Sequence, residues 1–201
     1  MSEFYTGNFY LTQGQMEVNA LYIYEFLRVR SWTVNAIAGM LGNMEAESTL
    51  NPGIWQSLNE GNTSGGYGLV QWTPATKYLD WCNENGYEPS HLDSALQRIV
   101  WERANGVQYY PTTNYPITWQ EFKHSTLSPA YLAKTFLYNY ERPKDPKPEA
   151  RGALAEKWYT FLTGDIPNPD TPTPTPTPTI KKHKMSLLMM FKAVNKNNVV
   201  R

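Results

Sequence analysis

The chain has 201 residues with 18 basic and 18 acidic side chains, so its formal net charge is zero. This balance excludes a strongly basic nucleic-acid-binding protein, and a hydrophobic content of 41% is sufficient for a buried core. The single cysteine, Cys82, excludes a disulfide framework and a zinc cluster built on thiolates. Because the three histidines lack the spacing of metal ligands, the sequence predicts no metal site and no cofactor.

Apolar residues recur with helical spacing through most of the first 164 residues, which predicts a mainly α-helical fold. A first helix is expected at about 15–28, and Thr33 is placed to cap a second helix that runs towards Glu47. Residues 53–72 are rich in Gly, Asn, Ser and Thr, which is typical of a small β-hairpin or an irregular lobe. A third helix is expected to open at Pro74 and run through Trp81. Further helices are expected at about 91–104, 118–124, 128–139 and 149–162.

Charge and composition both change after residue 164. Residues 1–164 carry 12 basic against 16 acidic side chains, whereas residues 165–201 carry six against two. Thr and Pro alternate between residues 167 and 179, and repeated proline favours an extended spacer. We therefore expect a folded domain at 1–164, a linker at 165–179 and a basic amphipathic tail at 180–201. That tail is either a poorly ordered terminus or a segment that docks on a partner or an anionic surface.

The sequence shows no signal for secretion or for membrane insertion. The first residues have neither a basic start nor an apolar run, and no stretch approaches the roughly 18 apolar residues of a membrane span. We expect no stable membrane insertion. A protein of this kind that acts outside the cell needs another protein or a particle to deliver it.

Glu47 is the candidate proton donor. With 3.6 residues per turn, it falls on the same side of the second helix as Met40 and Met44, whereas Glu45 falls outside that side. A carboxyl group on that side is partly removed from water and lies at the negative end of the helix. Both effects favour the neutral form that a general acid requires. The spacing alone also allows Glu47 to turn towards solvent.

The residues after Glu47 favour a corner between the helix and a loop. Ser48 can hydrogen-bond locally, and Asn51, which precedes a proline, favours a turn. The glycine-rich segment GGYGLVQW at residues 65–72 allows its backbone to approach this corner closely. Within it, Gln71 supplies an amide that can orient a polar ligand.

These motifs carry a resemblance to known enzymes. The coupled motifs ES, NP and GxxGLxQ resemble the signature shared by lytic transglycosylases and goose-type lysozymes. The longer string is still more similar to the phage tail lysozyme family, the wall-cutting tail enzymes of short-tailed phages of Gram-positive bacteria; it reads GNMEAESTLNPGIWQSLNEGNTSGGYGLVQWTP, with YNYERP downstream. The resemblance covers about residues 8–162.

The resemblance implies a lysozyme-like α+β fold and cleavage of the peptidoglycan glycan strand between N-acetylmuramic acid and N-acetylglucosamine. In the family the Glu of the Glu-Ser pair is the catalytic acid, which corresponds to Glu47. Glu60 is either the second carboxylate, which would activate water, or a solvated turn residue. Without a nearby second carboxylate, the 6-hydroxyl of the muramic sugar closes on C1 and the enzyme is a lytic transglycosylase. The expected substrate-binding residues are Ser48, Asn51, Tyr67, Gln71 and Trp72.

Two further aromatic residues and one arginine are secondary candidates. Trp55 and Tyr78 flank the motifs and can stack on sugar rings or pack in the core. Arg142, in the YERP motif, is expected to pair with a carboxylate, either a lactyl group of the substrate or its neighbour Glu141.

Rival interpretations remain at this point. A non-catalytic wall-binding or tail-structural module would keep the aromatic residues, and a membrane-active protein would act through the apolar run at 185–191. The expected partners are peptidoglycan glycan strands and, through the C-terminal tail, other phage tail proteins. The expected location is the phage virion, or the cell wall after release from the host cytoplasm.

Overall fold

The computed structural model describes residues 3–164. The predictions for the linker at 165–179 and the tail at 180–201 therefore lie outside the described residues. Within the described part the chain forms seven α-helices: α1 (Gln13–Arg28), α2 (Val34–Ser48), α3 (Thr76–Asn85), α4 (Leu92–Ala104), α5 (Trp119–His124), α6 (Pro129–Phe136) and α7 (Pro148–Thr163). None of these helices has the length and apolarity needed to cross a lipid bilayer.

The predicted helices are confirmed, with small shifts at their ends. Thr33 caps α2 as expected, since its hydroxyl accepts a hydrogen bond from the backbone N–H of Ala36. The third helix begins at Thr76 rather than at Pro74. The helix predicted at 128–139 divides into α6 and a wider π-helical turn at Leu137–Glu141, which ends at Arg142 in a left-handed conformation.

The predicted β-hairpin at 53–72 is not confirmed. This segment contains a 3-10 turn at Gln56–Leu58, and the only β pairs within residues 3–164 are two isolated bridges, Trp55–Tyr67 and Tyr67–Trp72. Positive φ angles at Ser57, Gly68 and Gln71 interrupt the extended backbone that a strand requires. The described part of the chain is therefore mainly helical.

Helix α2 forms the centre of the fold and packs against α1, α5, α6 and α7. Two of its glycines permit this close packing. A Cβ atom at Gly42 would lie 2.6 Å from the backbone oxygen of Arg151, and one at Gly39 would lie 2.9 Å from Leu132 Cβ. Because backbone atoms occupy the space at Gly42, a larger residue there would push α7 away. This close approach places Arg151 beside the last turns of α2.

Candidate active site

A cleft of about 900 Å³ opens beside the C-terminal end of α2. Part of its lining comes from the loop between α2 and α3, and another part comes from α4, the π-helical turn and the residues after it. Polar and aromatic side chains occur in both parts; they include Glu47, Trp55, Gln71, Trp72, Arg98, Glu102, Gln108, Tyr140, Glu141 and Arg142. Such a mixture suits a polar ligand with flat apolar faces, such as a sugar chain.

Glu47 lines the cleft from the last turn of α2 and forms an ion pair there. Its Oε1 accepts a hydrogen bond from Nη2 of Arg151 at 2.5 Å, and the two side chains are only 19% and 8% exposed. The prediction that Glu47 is partly withdrawn from water therefore agrees with its position. Its protonation as a general acid stays a prediction, because the guanidinium stabilises the charged carboxylate in this arrangement.

Arg151 is held in place by several acceptors besides Glu47. Its guanidinium donates to the carbonyl oxygen of Pro146 at 3.1 Å and to Oδ1 of Asn43 at 3.3 Å. Asn43 lies on α2, one turn before Glu47, and its own amide donates to the carbonyl oxygens of Gly39 and Ala133. The arginine is thus fixed by α2 and by the start of α7.

Glu141 brings a second carboxyl group to the same cleft. The residue is partly exposed, but its Oε1 is shielded from solvent and has no hydrogen-bond partner among residues 3–164. Burial of the carboxyl raises the pKa of Glu141 well above its usual range, and the negative charge of Glu47 raises it further. These surroundings favour the neutral form of the Glu141 carboxyl.

A third carboxylate, Glu102 of α4, organises the wall of the cleft. It is buried, and its Oε1 accepts hydrogen bonds at 2.9 Å from Nε1 of Trp72 and from Nε of Arg98. Its Oε2 accepts a hydrogen bond from the hydroxyl of Tyr140. All of its partners line the cleft with it, so Glu102 fixes the positions of an indole, a phenol and a guanidinium on the cleft surface.

The structure places the predicted substrate-binding residues in two groups. Gln71 and Trp72 line the cleft, as does Trp55. The amide of Gln71, however, donates to the carbonyl oxygens of Ile54 at 3.3 Å and Gly68 at 3.1 Å, so it also shapes its own loop. Their contact with substrate stays a prediction.

Ser48 and Asn51 are buried and lie outside the lining of the cleft. The hydroxyl of Ser48 donates to the carbonyl oxygen of Leu69 at 2.8 Å, which joins the end of α2 to the glycine-rich loop. The amide of Asn51 donates to the carbonyl oxygens of Gly7 and Phe9. Both side chains therefore shape the corner beside Glu47 by binding backbone groups.

Four aromatic residues near the motif pack against one another in a continuous cluster. Trp72 stacks on Tyr78 with ring centroids 4.3 Å apart, and Tyr67 packs edge-on against Trp55 at 4.7 Å. Tyr67 and Tyr78 are buried outside the lining of the cleft. Trp55 and Trp72 line the cleft, but Trp72 is as buried as Tyr67, so Trp55 is the more accessible of the two indoles.

The last two candidates, Glu60 and Arg142, differ in position, since only Arg142 lines the cleft. Glu60 is exposed in the turn after the 3-10 segment and is not part of the cleft lining, so its role as second carboxylate stays untested. The guanidinium of Arg142 donates to the carbonyl oxygens of Gln108 and Asn139 at 2.7 Å each. The expected pairing of Arg142 with Glu141 is thus replaced by two backbone contacts, although Arg142 is close enough to lower the pKa of Glu141.

Sequence reasoning missed Arg98, Glu102 and Arg151 as site residues, and it considered Glu141 only as a partner of Arg142. The spacing of Arg98 and Glu102, four residues apart on a helix, is a signal for an ion pair on one face. Arg151 has no comparable local signal, because it reaches Glu47 through the packing of α7 on α2.

Comparison with known proteins supports the resemblance stated from the motifs. A sequence model of the family described as phage tail lysozyme matches residues 18–162. Morphogenesis protein 1 of Bacillus phage B103 is 55% identical over 161 residues, which is 80% of this chain and 44% of that protein. The chain thus spans less than half the length of this relative. Because the family match extends over well more than half of the sequence and includes the whole Glu47–Arg151 region, the chain belongs to the phage tail lysozyme family.

Proposed function

We propose that this chain is a glycosidase that cuts the glycan strand of peptidoglycan between N-acetylmuramic acid and N-acetylglucosamine. The observation that carries the proposal is the position of Glu47, a partly buried carboxyl on the wall of a polar and aromatic cleft. The membership of the chain in the phage tail lysozyme family supports peptidoglycan as the substrate class. We further propose that the fold is lysozyme-like and that the enzyme acts from a phage virion on the host wall.

In the proposed reaction, Glu47 donates a proton to the glycosidic oxygen while positive charge develops at C1 of the muramic sugar. Trp55, which is partly exposed, offers a flat face for a sugar ring, and Trp72 lines the same cleft from a buried position. Gln71, with a side-chain oxygen that can accept from hydroxyl groups, helps to orient the sugar. Water or the sugar's own 6-hydroxyl then attacks C1. Water gives a reducing end, and the 6-hydroxyl gives a 1,6-anhydro end.

The test compares two variants of the same helix on purified peptidoglycan. Glu47→Gln keeps the shape of the side chain but removes the transferable proton, and we expect glycan cleavage to fall by on the order of 10²–10⁴-fold. Glu45→Gln is the matched control, since Glu45 is also paired with a cation of α7 but lies outside the lining of the cleft. We expect Glu45→Gln to cleave at the wild-type rate.

Mass spectrometry of the released fragments identifies the chemistry, because it distinguishes reducing from 1,6-anhydro ends. Thermal unfolding of both variants shows whether they are folded. Full cleavage by folded Glu47→Gln would overturn the proposal. Absence of cleavage by the wild-type chain on peptidoglycan would favour the wall-binding module instead.

A further inference from the structure

Glu141 has no role in the reaction described above, although it lines the same cleft as Glu47. A carboxyl oxygen that is shielded from water and lacks a hydrogen-bond partner is costly for a folded protein, most of all when it is charged. The cost is smallest when the carboxyl is neutral. Glu141 lines the same cleft as the candidate proton donor Glu47 and lies within the field of its charge, so a neutral carboxyl at this position can serve the reaction.

We propose that Glu47 and Glu141 hold one proton between them, and that Glu141 is a positioning residue that keeps this proton while Glu47 is paired with Arg151. The proposal rests on the proposed function, in which Glu47 is the proton donor. It resolves a conflict in the structure. An ion pair with a buried guanidinium favours the charged form of Glu47, whereas a general acid must carry a proton.

The two carboxyl groups have opposite surroundings. Glu47 has a charged hydrogen-bond donor at 2.5 Å, whereas Oε1 of Glu141 has none among the described residues. Two carboxyl groups that line one cleft and act on each other electrostatically do not both ionise readily, because the second charge meets the field of the first. With one proton in the pair, the surroundings place it on Glu141 and leave the charge on Glu47.

Charged groups from every neighbouring element act on Glu141. The negative charges of Glu47 on α2 and Glu102 on α4 raise its pKa, whereas Arg151 on α7 and the adjacent Arg142 lower it. The charge of Glu102 is itself countered by the ion pair with Arg98, and the neighbouring phenol of Tyr140 donates to Glu102. Burial is the largest influence, and it acts in the same direction as Glu47.

The proton balance closes over one reaction cycle. The proton first moves from Glu141 to Glu47, which leaves the negative charge on Glu141 within the field of Arg151 and Arg142. Glu47 then gives the proton to the glycosidic oxygen; the bond from C1 to that oxygen breaks, and its electron pair stays on the oxygen. The attacking hydroxyl, from water or from the sugar, forms a new bond to C1 and returns its proton to the pair. The pair thus begins and ends with one proton for either product.

The experiment measures glycan cleavage by Glu141→Gln as a function of pH. Glutamine keeps the shape of the side chain but supplies no acidic proton, so Glu47 must take its proton from solvent against the influence of Arg151. We expect the basic limb of the pH profile to move to lower pH by about one unit or more. At neutral pH we expect the rate to fall by about 10-fold or more, with recovery under acidic conditions.

Glu45→Gln is again the control and should keep the wild-type pH profile. A wild-type profile in Glu141→Gln would overturn the proposal, since a purely structural side chain would not move it. Loss of cleavage at every pH in a folded Glu141→Gln would overturn it too, because Glu141 would then act directly on the substrate. Failure of the proposed function has a different signature, which is activity retained by Glu47→Gln.

A second measurement needs no variant and so does not depend on the folding of Glu141→Gln. In wild-type protein with ¹³C-labelled glutamate carboxyl groups, NMR titration should show one carboxyl that stays protonated above the usual glutamate range. It should also show a second carboxyl whose signal shifts as the first one titrates. Ordinary, independent titration of all glutamates would overturn the shared proton.

Discussion

Two carboxylates near the end of α2 meet α7 in similar ways but on different sides of the helix. Glu45 binds Nζ of Lys157 at 2.8 Å and Nε1 of Trp158 at 2.7 Å, so both of its oxygens have donors. Glu47 binds Arg151 at 2.5 Å and lines the cleft, where the buried carboxyl of Glu141 also lies. We call these the Glu45 side and the Glu47 side.

Because both carboxylates form an ion pair with α7, such a pair does not by itself distinguish the candidate proton donor Glu47 from Glu45. The two sides differ in the exposure of the cationic partner and in the hydrogen bonds made by the groups around the ion pair. On the Glu45 side the partner Lys157 is 39% exposed, and the contacts are complete. On the Glu47 side the partner is 8% exposed, and a second carboxyl lacks a partner for one oxygen among residues 3–164. The Glu47 side, with its unpaired carboxyl oxygen, is therefore the side for which we propose proton transfer.

The largest expected difference between the two sides is in stability. Arg151→Met removes the counter-charge of a mostly buried carboxylate and should lower the free energy of unfolding by about 3–5 kcal/mol. Lys157→Met removes a more exposed partner and should cost less than about 1 kcal/mol. Denaturant unfolding of both variants measures the difference. Equal losses would show that the two pairs are energetically equivalent and would contradict the comparison.

A smaller effect is expected from the packing that supports both sides. Gly42→Ala places a methyl group within 2.6 Å of a backbone oxygen of α7, and we expect it to lower the free energy of unfolding by about 1–3 kcal/mol. Glycan cleavage should fall as well, because α7 carries Arg151. Gly152→Ala is the matched control, since its nearest contact is the side-chain Cβ of Ala130 at 3.3 Å. If Gly42→Ala left the free energy of unfolding unchanged, α7 would be able to move away from α2 without loss of stability, which would contradict the prediction.

The pH dependence of stability sharpens the Glu47 side further. Because the pKa of Glu141 is raised in the folded state, its neutral form contributes stability below the usual glutamate pKa, and this contribution is lost as the pH rises through the raised value. The Glu141→Gln variant has no carboxyl group at this position, so its stability does not decrease in this way as the pH rises. We expect the variant to gain stability relative to wild type as the pH rises, on the order of 1 kcal/mol between about pH 5 and pH 8. Thermal unfolding across this range measures the trend, and a constant difference would contradict it.

The smallest effect is expected on the Glu45 side. Glu45→Gln removes the charge that pairs with Lys157, but the amide oxygen can still accept the hydrogen bond from Trp158. The expected loss in the free energy of unfolding is less than about 1 kcal/mol. Denaturant unfolding measures it. A loss as large as that of Arg151→Met would remove the distinction between the two sides.

The sequence predicted the helices and the corner at Glu47 well, because both depend on local patterns. Helical spacing and the cap at Thr33 place α2, and the turn-forming residues after it end the helix at Ser48. The small hairpin predicted at 53–72 from local patterns of the same kind is not confirmed. Its glycines and polar residues indicate turns, but here they form a 3-10 turn and irregular backbone rather than paired strands.

The rest of the site depends on contacts between residues far apart in the sequence. Arg151 lies 104 positions from Glu47, and the close packing at Gly42 brings them together. Glu141 faces the cleft from a π-helical turn, which helical spacing does not distinguish from a regular helix. The resemblance made Glu60 a candidate for the second carboxylate, beside the alternative of a solvated turn residue. A position in the sequence holds no information about whether Glu60 or Glu141 is buried.

The contacts of Asn51 make the first residues of the chain part of the corner beside Glu47. Asn51 binds the carbonyl oxygens of Gly7 and Phe9, and Thr49 accepts a hydrogen bond from the backbone N–H of Leu11. A recombinant fragment trimmed to the limits of the family match would begin at residue 18 and lose these hydrogen bonds. The smallest unit worth expressing for biochemical or engineering work therefore keeps the segment from about residue 3 onward.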